Sequence, residues 1–244
     1  MPDLSGSGTT ETAWRSWPGL CPPRWPIDTP EHVVLAAPHP DDEVLGAGGT
    51  LAQWAGQGSS ITIVAVTDGE RSHPDSRTWA RHALGQHRRV ESKAAWSQLG
   101  LDDCHTVRLA CRDGAVAGNE PLLCGALSKL CTPRTLCLST WRHDGHPDHE
   151  ATGRAAQRAA AESGARYAGY PIWMWHWASP ADPRVPWRRA RSVALDATAV
   201  GAKRRAAEEF VTQTEPLSPD PADQPVLTEH VLARLLREFE VFFL

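Results

Sequence analysis

The chain has 244 residues, enough for one substantial domain or two small ones. Its 41% hydrophobic content predicts a packed core, and its formal net charge of −4 gives no basic surface for nucleic acid or an anionic membrane. No apolar run approaches the roughly 18 residues that span a bilayer, and no secretory signal pattern opens the chain. We therefore expect a cytoplasmic protein with no nucleic-acid or membrane partner, and the sequence leaves homo-oligomerisation open.

Taken in chain order, residues 1–30 are predicted to form an irregular arm, because their prolines forbid regular helix. Residues 31–244 are predicted to form one α/β domain, with C-terminal additions from about residue 171. The predicted strands are 32–37, 60–67, 104–109, 135–139, 166–170 and 191–195. The predicted helices are 43–57, 76–99, 121–131, 149–163, 198–212 and 228–239. Continuous Val, Ile and Leu strands between helices indicate a Rossmann-like, doubly wound, mostly parallel sheet.

Polar or aromatic clusters follow four of the predicted strands. They are His39–Asp42, Thr67–Glu70, Trp141–His149 and the aromatic run 171–177. Because ligands bind beyond the carboxyl ends of the strands in open α/β sheets, these clusters are expected to share one edge of the sheet.

Two of these clusters contain the imidazole and carboxylate ligands that a catalytic Zn²⁺ prefers. His39 and Asp42 are three residues apart, so a tight turn can aim both side chains at one point. His149, at the start of a later helix, is the natural third ligand from a different strand. The sequence therefore predicts a metal centre with one open position, although Fe²⁺ or Co²⁺ would accept the same ligands.

The neighbours of these ligands have the chemistry for hydrolysis. Asp41 projects away from Asp42 and is free to accept a proton from water. His146 would stay unligated, where it could stabilise an oxyanion or protonate a leaving amine. Asp148 is expected to orient one of the imidazoles through its other ring nitrogen. These residues predict a metal-dependent hydrolase of amides or esters.

The motif Pro38–Glu43 together with His146–His149 resembles the PIG-L/LmbE family of zinc-dependent N-acetylglucosaminyl deacetylases. The likeness covers roughly residues 32 to 213. Further similar motifs are Thr67-Asp68-Gly69-Glu70, Arg88-x-x-Glu91 through Leu99-Gly100, and Lys203-x-x-Ala206 ending in Phe210-Val211-Thr212-Gln213.

The resemblance implies an enzyme that removes an N-acyl group from an amino sugar, in secondary-metabolite or low-molecular-weight thiol biosynthesis. It implies His39, Asp42 and His149 as metal ligands, Asp41 as general base, and His146 as oxyanion stabiliser or acid. It also implies that Arg88 binds the sugar or its aglycone.

The rim of the pocket is predicted from residues that the family motifs do not include. Asp144 could bind sugar hydroxyls or simply make the turn before His146. Trp175 and His176 follow a strand that should border the metal crevice, so they are expected to contact the aglycone. The alternative is that these aromatic side chains pack in the core.

Other functions fit the sequence less well. An amidase acting on a larger sugar-containing conjugate would use the same site and release a larger acid. A nucleotide-binding Rossmann protein is disfavoured, because His39–Asp42 stands where G-x-G-x-x-G would lie. A sugar-binding protein without catalysis is disfavoured by the intact base, Asp41.

Overall fold

Seven strands form one sheet in the computed structural model, which describes residues 6–244. The strands are β1 (His32–Ala37), β2 (Ser60–Thr67), β3 (His105–Cys111), β4 (Thr135–Thr140), β5 (Arg166–Tyr170), β6 (Ala190–Ala194) and β7 (Phe239–Phe243). Their order is β3-β2-β1-β4-β5-β7-β6, and β7 runs antiparallel to β5 and β6 while the other neighbours are parallel. The mixed α/β class and the mostly parallel sheet are therefore as the sequence predicted.

Helices cover both faces of this sheet. They are α1 (Glu11–Arg15), α2 (Asp42–Gly56), α3 (Arg81–Gln98), α4 (Glu120–Leu130), α5 (Pro147–Ser163), α6 (Met174–Trp177), α7 (Ala197–Glu208), α8 (Val211–Thr214) and α9 (Glu229–Leu235). None of the helices within residues 6–244 is long and apolar enough to cross a membrane.

Strand β1 shows why the sheet is buried on both sides. Val33 and Leu35 belong to the core formed with α2, α3 and α7, whereas Val34 and Ala36 face the core formed with α4 and α5. Alternate side chains of a strand point to opposite faces, so a strand without polar residues requires a helical layer on each face.

The order in which the chain adds strands to the sheet reverses between β1 and β4. From β1 the chain proceeds outward to β2 and β3, and it then returns to place β4 and β5 on the other side. Such a reversal opens a crevice at the carboxyl ends of the two central strands. His39–Asp42 follows β1 and Asp144–His149 follows β4, so the two motifs meet across this crevice.

The C-terminal region differs from the sequence prediction. The helix expected over 228–239 is only α9, which ends at Leu235, and strand β7 follows it. The helix expected over 198–212 is divided into α7 and α8. The early end of α9 is explained by the aromatic and β-branched residues of β7, which pair in the sheet between β5 and β6.

The helix expected over 76–99 begins later, at Arg81. The Ser76 hydroxyl accepts hydrogen bonds from the backbone N–H groups of Thr78 and Trp79, at 3.2 and 3.4 Å. The hydroxyl closes a local serine turn, and the extended backbone of Ala80, with φ −66° and ψ 137°, separates this turn from the helix that begins at Arg81.

The N-terminal arm is not wholly irregular. Residues 1–5 lie outside the described part of the chain, but residues 11–15 form α1, whose Trp14 is fully buried. The Trp14 indole N–H donates to the Trp175 carbonyl at 2.9 Å, and the Thr9 N–H donates to the His176 carbonyl at 2.9 Å. The arm therefore packs on α6, the short helix that follows β5. The division into an arm and one domain stays a prediction.

A buried ion pair connects α7, β7 and α2. Lys203 Nζ lies 2.7 Å from Glu240 Oε1 and donates to the Leu45 carbonyl at 2.7 Å. Glu240 also accepts the backbone N–H groups of Gly49 and Thr50 at 2.9 and 2.8 Å. Every charge of the pair is thus hydrogen-bonded, which a buried ion pair requires.

Candidate metal centre and active site

Three ligand atoms converge in the crevice between β1 and β4. His39 Nδ1 lies 3.2 Å from His149 Nε2 and 3.2 Å from Asp42 Oδ2, and His149 Nε2 lies 3.3 Å from Asp42 Oδ2. When a metal ion is coordinated tetrahedrally with metal–ligand bonds of about 2.0–2.2 Å, two of its N or O ligands lie roughly 3.3–3.5 Å apart. The three donors therefore fit one divalent metal ion.

Asp144 orients His149 rather than binding a sugar. Its fully buried carboxylate lies 2.8 Å from His149 Nδ1, which leaves Nε2 directed at the other two ligands. It also accepts the backbone N–H groups of Ile172, Trp173 and Met174, at 2.9, 2.9 and 3.0 Å. With four donors around it, Asp144 has no contact to offer a substrate, and the prediction that it binds sugar hydroxyls is wrong.

His39 is oriented by two other carboxylates. Its Nε2 lies 3.3 Å from Asp113 Oδ1 and 3.4 Å from Asp148 Oδ2. Burial disfavours a charged imidazole, but Asp113, Asp148 and Asp42 together raise the pKa of His39 well above its ordinary value. The surroundings of this ring therefore attract positive charge, as a cation site must.

The loop carboxylates at His39 are held by backbone groups. Asp148 accepts from the N–H groups of Gly114 at 2.7 Å and Val116 at 3.1 Å, and Asp113 accepts from Arg71 N–H at 2.8 Å. These bonds fix both carboxylates on the outer nitrogen of His39, where they support the ligand rather than replace it.

Asp41 lies beside the ligands and is held by Arg88. The guanidinium donates to Asp41 Oδ2 at 2.9 Å and to the carbonyls of Pro40 and Gly69 at 2.6 and 2.8 Å. Asp41 has a φ of 117°, a conformation that favours glycine. Burial raises the pKa of Asp41 well above its ordinary value, although Arg88 opposes this shift. A carboxyl group with a raised pKa is suited to accept a proton.

His146 is close to both ligating histidines but has a different orientation. One of its ring nitrogens lies within 4.8 Å of a ring nitrogen of His39 and of His149. Its Nδ1 accepts the Asp148 backbone N–H at 3.3 Å, so the proton of the neutral ring is on Nε2. Burial and the two neighbouring histidines lower the pKa of His146 to about 3. The neutral ring can therefore donate a hydrogen bond to a developing oxyanion.

These side chains line a cavity of about 180 Å³. Its lining includes the six residues His39, Asp41, Asp42, Arg88, His146 and His149 that the sequence predicted for the site. Ile172 and Trp173 of the aromatic run and Gln213 of the late family motif also line it. The remaining lining residues, which the sequence did not indicate, are Leu45, Arg71, Ser72, Asp113, Val226 and Leu227. For Asp113 a signal existed, because it follows the end of β3 as the other clusters follow their strands.

Trp175 and His176 are not part of this lining, and the prediction that they contact the aglycone is wrong. Both are 4% exposed. The Trp175 ring packs edge-on against Trp14 with centroids 5.0 Å apart, and His176 Nδ1 lies 3.1 Å from Arg234 Nη2. Of the aromatic run, Trp173 reaches the cavity instead, since α6 turns the following residues inward.

The family motifs form a connected hydrogen-bond network around the site. Glu70 accepts the Asp113 N–H at 2.9 Å, and Glu91 accepts the N–H and hydroxyl of Thr212, both at 2.7 Å. Glu43 accepts the Trp96 indole N–H at 2.7 Å. The acidic residues of these motifs therefore hold loops and helices in place.

Known proteins resemble this chain in sequence and in fold. The family described as GlcNAc-PI de-N-acetylase (PIG-L) matches residues 34–160. A 1D-myo-inositol 2-acetamido-2-deoxy-α-D-glucopyranoside deacetylase of Streptomyces griseus is 32% identical over 153 residues, which are 52% of this chain and 48% of that protein. A second deacetylase of that name, from Saccharopolyspora erythraea, is 30% identical over 203 residues, 69% of each chain. The match thus spans about half of the first relative.

The structure of the A40926 pseudoaglycone deacetylase has the same fold. It superimposes with a TM-score of 0.63 at 22% identity and covers 87% of this chain and 96% of that one. At this identity the likeness concerns the arrangement of strands and helices.

Proposed function

The chain belongs to the PIG-L family of de-N-acetylases, and from this we propose that it is a zinc-dependent hydrolase that removes an N-acyl group, acetyl in the simplest case, from an amino sugar. The observation that carries the proposal is the convergence of His39, Asp42 and His149 within 3.2–3.3 Å of one another. Two imidazoles and a carboxylate suit Zn²⁺, which leaves one position open in such catalytic sites. A glycoside or conjugate in antibiotic or low-molecular-weight thiol biosynthesis is the proposed substrate.

When bound, Zn²⁺ would polarise a carbonyl group and lower the pKa of a water molecule to about 7. Asp41 accepts a proton from the attacking water. No described residue donates a hydrogen bond to its Oδ1, while Arg88 holds its Oδ2 and so fixes the carboxylate plane. His146 Nε2–H then donates to the oxygen that becomes the oxyanion. Loss of one such donor typically costs about 2.7–4 kcal/mol of transition-state stabilisation.

The proposal is tested by incubating the zinc-loaded protein with N-acetyl and longer N-acyl glucosaminides. The free amine and the released acid are measured together, with metal-stripped protein as the control. We expect amine and acetate in equal amounts from the loaded protein. The absence of amine from every substrate would contradict the proposal, and release of only a larger acid would identify the conjugate amidase instead.

A further inference from the structure

The cavity has polar lining residues that the proposed reaction does not use. Beyond the metal and its neighbours, most of the wall is apolar, from side chains such as Trp173, Val226 and Leu227. One cation, Arg71, lies among them on the loop after β2 and is partly exposed. A partly exposed guanidinium without a protein partner is hydrated, and it can exchange that water for an anionic group of a ligand.

Within residues 6–244, no carboxylate forms an ion pair with the Arg71 guanidinium, and no side chain or carbonyl accepts a hydrogen bond from it. The nearest candidates have other partners. Glu70 Oε1 accepts the Asp113 N–H at 2.9 Å. Asp113 Oδ2 accepts the Arg71 backbone N–H at 2.8 Å, and its Oδ1 lies 3.3 Å from His39 Nε2.

The other arginine of the cavity is different. Arg88 is 2% exposed, and its two terminal nitrogens donate to Asp41 and to two carbonyls, which leaves only the buried Nε without a partner among the described residues. Arg71 is therefore the cation of the described lining whose donors are free for a ligand. The free guanidinium is planar and can bind the two oxygens of a carboxylate or phosphate in parallel.

The charges of the cavity restrict where an anionic group can lie. Asp41 and Asp42 lie at the metal centre, so their carboxylates disfavour a further anion there. A neutral N-acyl group suits the metal centre, and an anionic group of the substrate suits Arg71, the cation of the described lining without a partner.

We propose that Arg71 selects the substrate by binding an oxyanion on the part of the molecule attached to the amino sugar. This inference rests on the proposed deacetylase function and narrows its substrate class to amino sugars with a carboxylate or phosphate substituent. Charge-assisted hydrogen bonds of this kind are worth about 1.5–3 kcal/mol, which corresponds to about 10- to 100-fold in affinity.

The test uses two substrates of nearly the same shape and different charge. Carboxymethyl N-acetylglucosaminide carries a carboxylate, and carbamoylmethyl N-acetylglucosaminide carries the neutral amide in its place. N-acetylglucosamine 1-phosphate is the third probe and distinguishes a phosphate from a carboxylate as the preferred group.

Arg71→Gln should raise KM for the carboxymethyl substrate about 10- to 100-fold more than KM for the carbamoyl substrate. Arg71→Lys keeps the charge and should recover part of the difference. The matched control is Arg77→Gln, because Arg77 is exposed, lies outside the cavity lining and forms no ion pair within residues 6–244. This control should leave both KM values unchanged.

Binding is measured separately from turnover, so that the two proposals can fail independently. Both glucosaminides are titrated calorimetrically into the Asp41→Asn protein, with and without Arg71→Gln. Absence of amine from the wild type, with charge-selective binding intact, would overturn only the deacetylase function. An equal effect of Arg71→Gln on both probes, or no effect on either, would overturn the role of Arg71.

Discussion

At the scale of single residues, Asp41 and Arg88 form the pair on which the proposed chemistry depends. Arg88 was expected to bind substrate, but its guanidinium is directed at the base and at the turn that carries it. The Arg88 side chain therefore positions the carboxylate of Asp41 within the cavity.

Asp41→Asn should retain the metal and lose turnover, because an amide cannot accept the proton of water. General-base catalysis contributes about 10²- to 10⁴-fold, and kcat is expected to fall by that factor. Metal analysis accompanies the kinetics. A variant that works at nearly the wild-type rate with full metal would show that Asp41 is not the base.

Asp144→Asn should weaken metal binding about 10- to 100-fold, since an amide cannot serve His149 Nδ1 and three backbone donors equally well. The metal affinity is measured by competition with a chelator. Asp102→Asn, at an exposed position, is the control and should leave the affinity unchanged. A metal affinity in the Asp144 variant equal to that of the wild type would mean that the contact of Asp144 with His149 does not strengthen metal binding.

The sequence predicted the residues of the site where the signal was local. His39, Asp41 and Asp42 belong to one turn, so their spacing alone brought them together. The role of Asp144 could not be read in this way, because its backbone donors lie at residues 172–174. The sequence also could not show that the Arg71 guanidinium has no partner, because this depends on which groups the carboxylates near it contact.

At the scale of elements, α6 separates the residues that face the cavity from those that face the core. Trp175 contacts Trp14, and the Arg237 guanidinium lies 4.2 Å from its ring centroid. Trp173 lines the cavity, while its backbone N–H is bound by Asp144. Two tryptophans two residues apart thus have different functions.

Trp175→Ala should destabilise the protein by about 3–5 kcal/mol, the usual cost of removing a buried tryptophan. Trp173→Ala should change the free energy of unfolding much less and raise KM, because it removes a side chain from the cavity wall and none from the core. Urea unfolding and steady-state kinetics of the two variants decide this. Selective loss of substrate affinity in Trp175→Ala, with normal stability, would place that ring at the cavity after all.

Strand β7 shows why element prediction failed near the C-terminus. Its run Phe239-Glu240-Val241-Phe242-Phe243 contains a carboxylate that is buried, which local patterns do not favour within a central strand. Glu240 is stabilised there by Lys203, a partner distant in the sequence. Strands β1, β2 and β5 contain no buried charged residue that needs a distant partner, and they were predicted at their observed bounds.

At the scale of the whole molecule, the order of the strands places the site. The sequence predicted that the polar clusters share one edge of the sheet, because parallel strands end together. It could not predict the remaining wall, since Gln213, Val226 and Leu227 return to the crevice from segments beyond the parallel strands. Substrate selection therefore depends on long-range packing, and the metal centre depends on short motifs.

The backbone conformation of Asp41 costs folding free energy at a residue that the proposed reaction needs. A non-glycine residue at φ 117° stores about 1–3 kcal/mol of strain. That exceeds the about 0.4–1 kcal/mol by which glycine favours the unfolded chain. Asp41→Gly should therefore be more stable than Asp41→Ala when the metal-free proteins are unfolded in urea, while both are inactive.

A more stable Asp41→Ala would show that the turn is relaxed. If glycine is the more stable of the two, the turn holds a backbone conformation that an L side chain adopts only at a cost in folding free energy. In the wild type, the ion pair of Asp41 with the buried Arg88 offsets that cost, so the contact that positions the base also stabilises the turn that carries it.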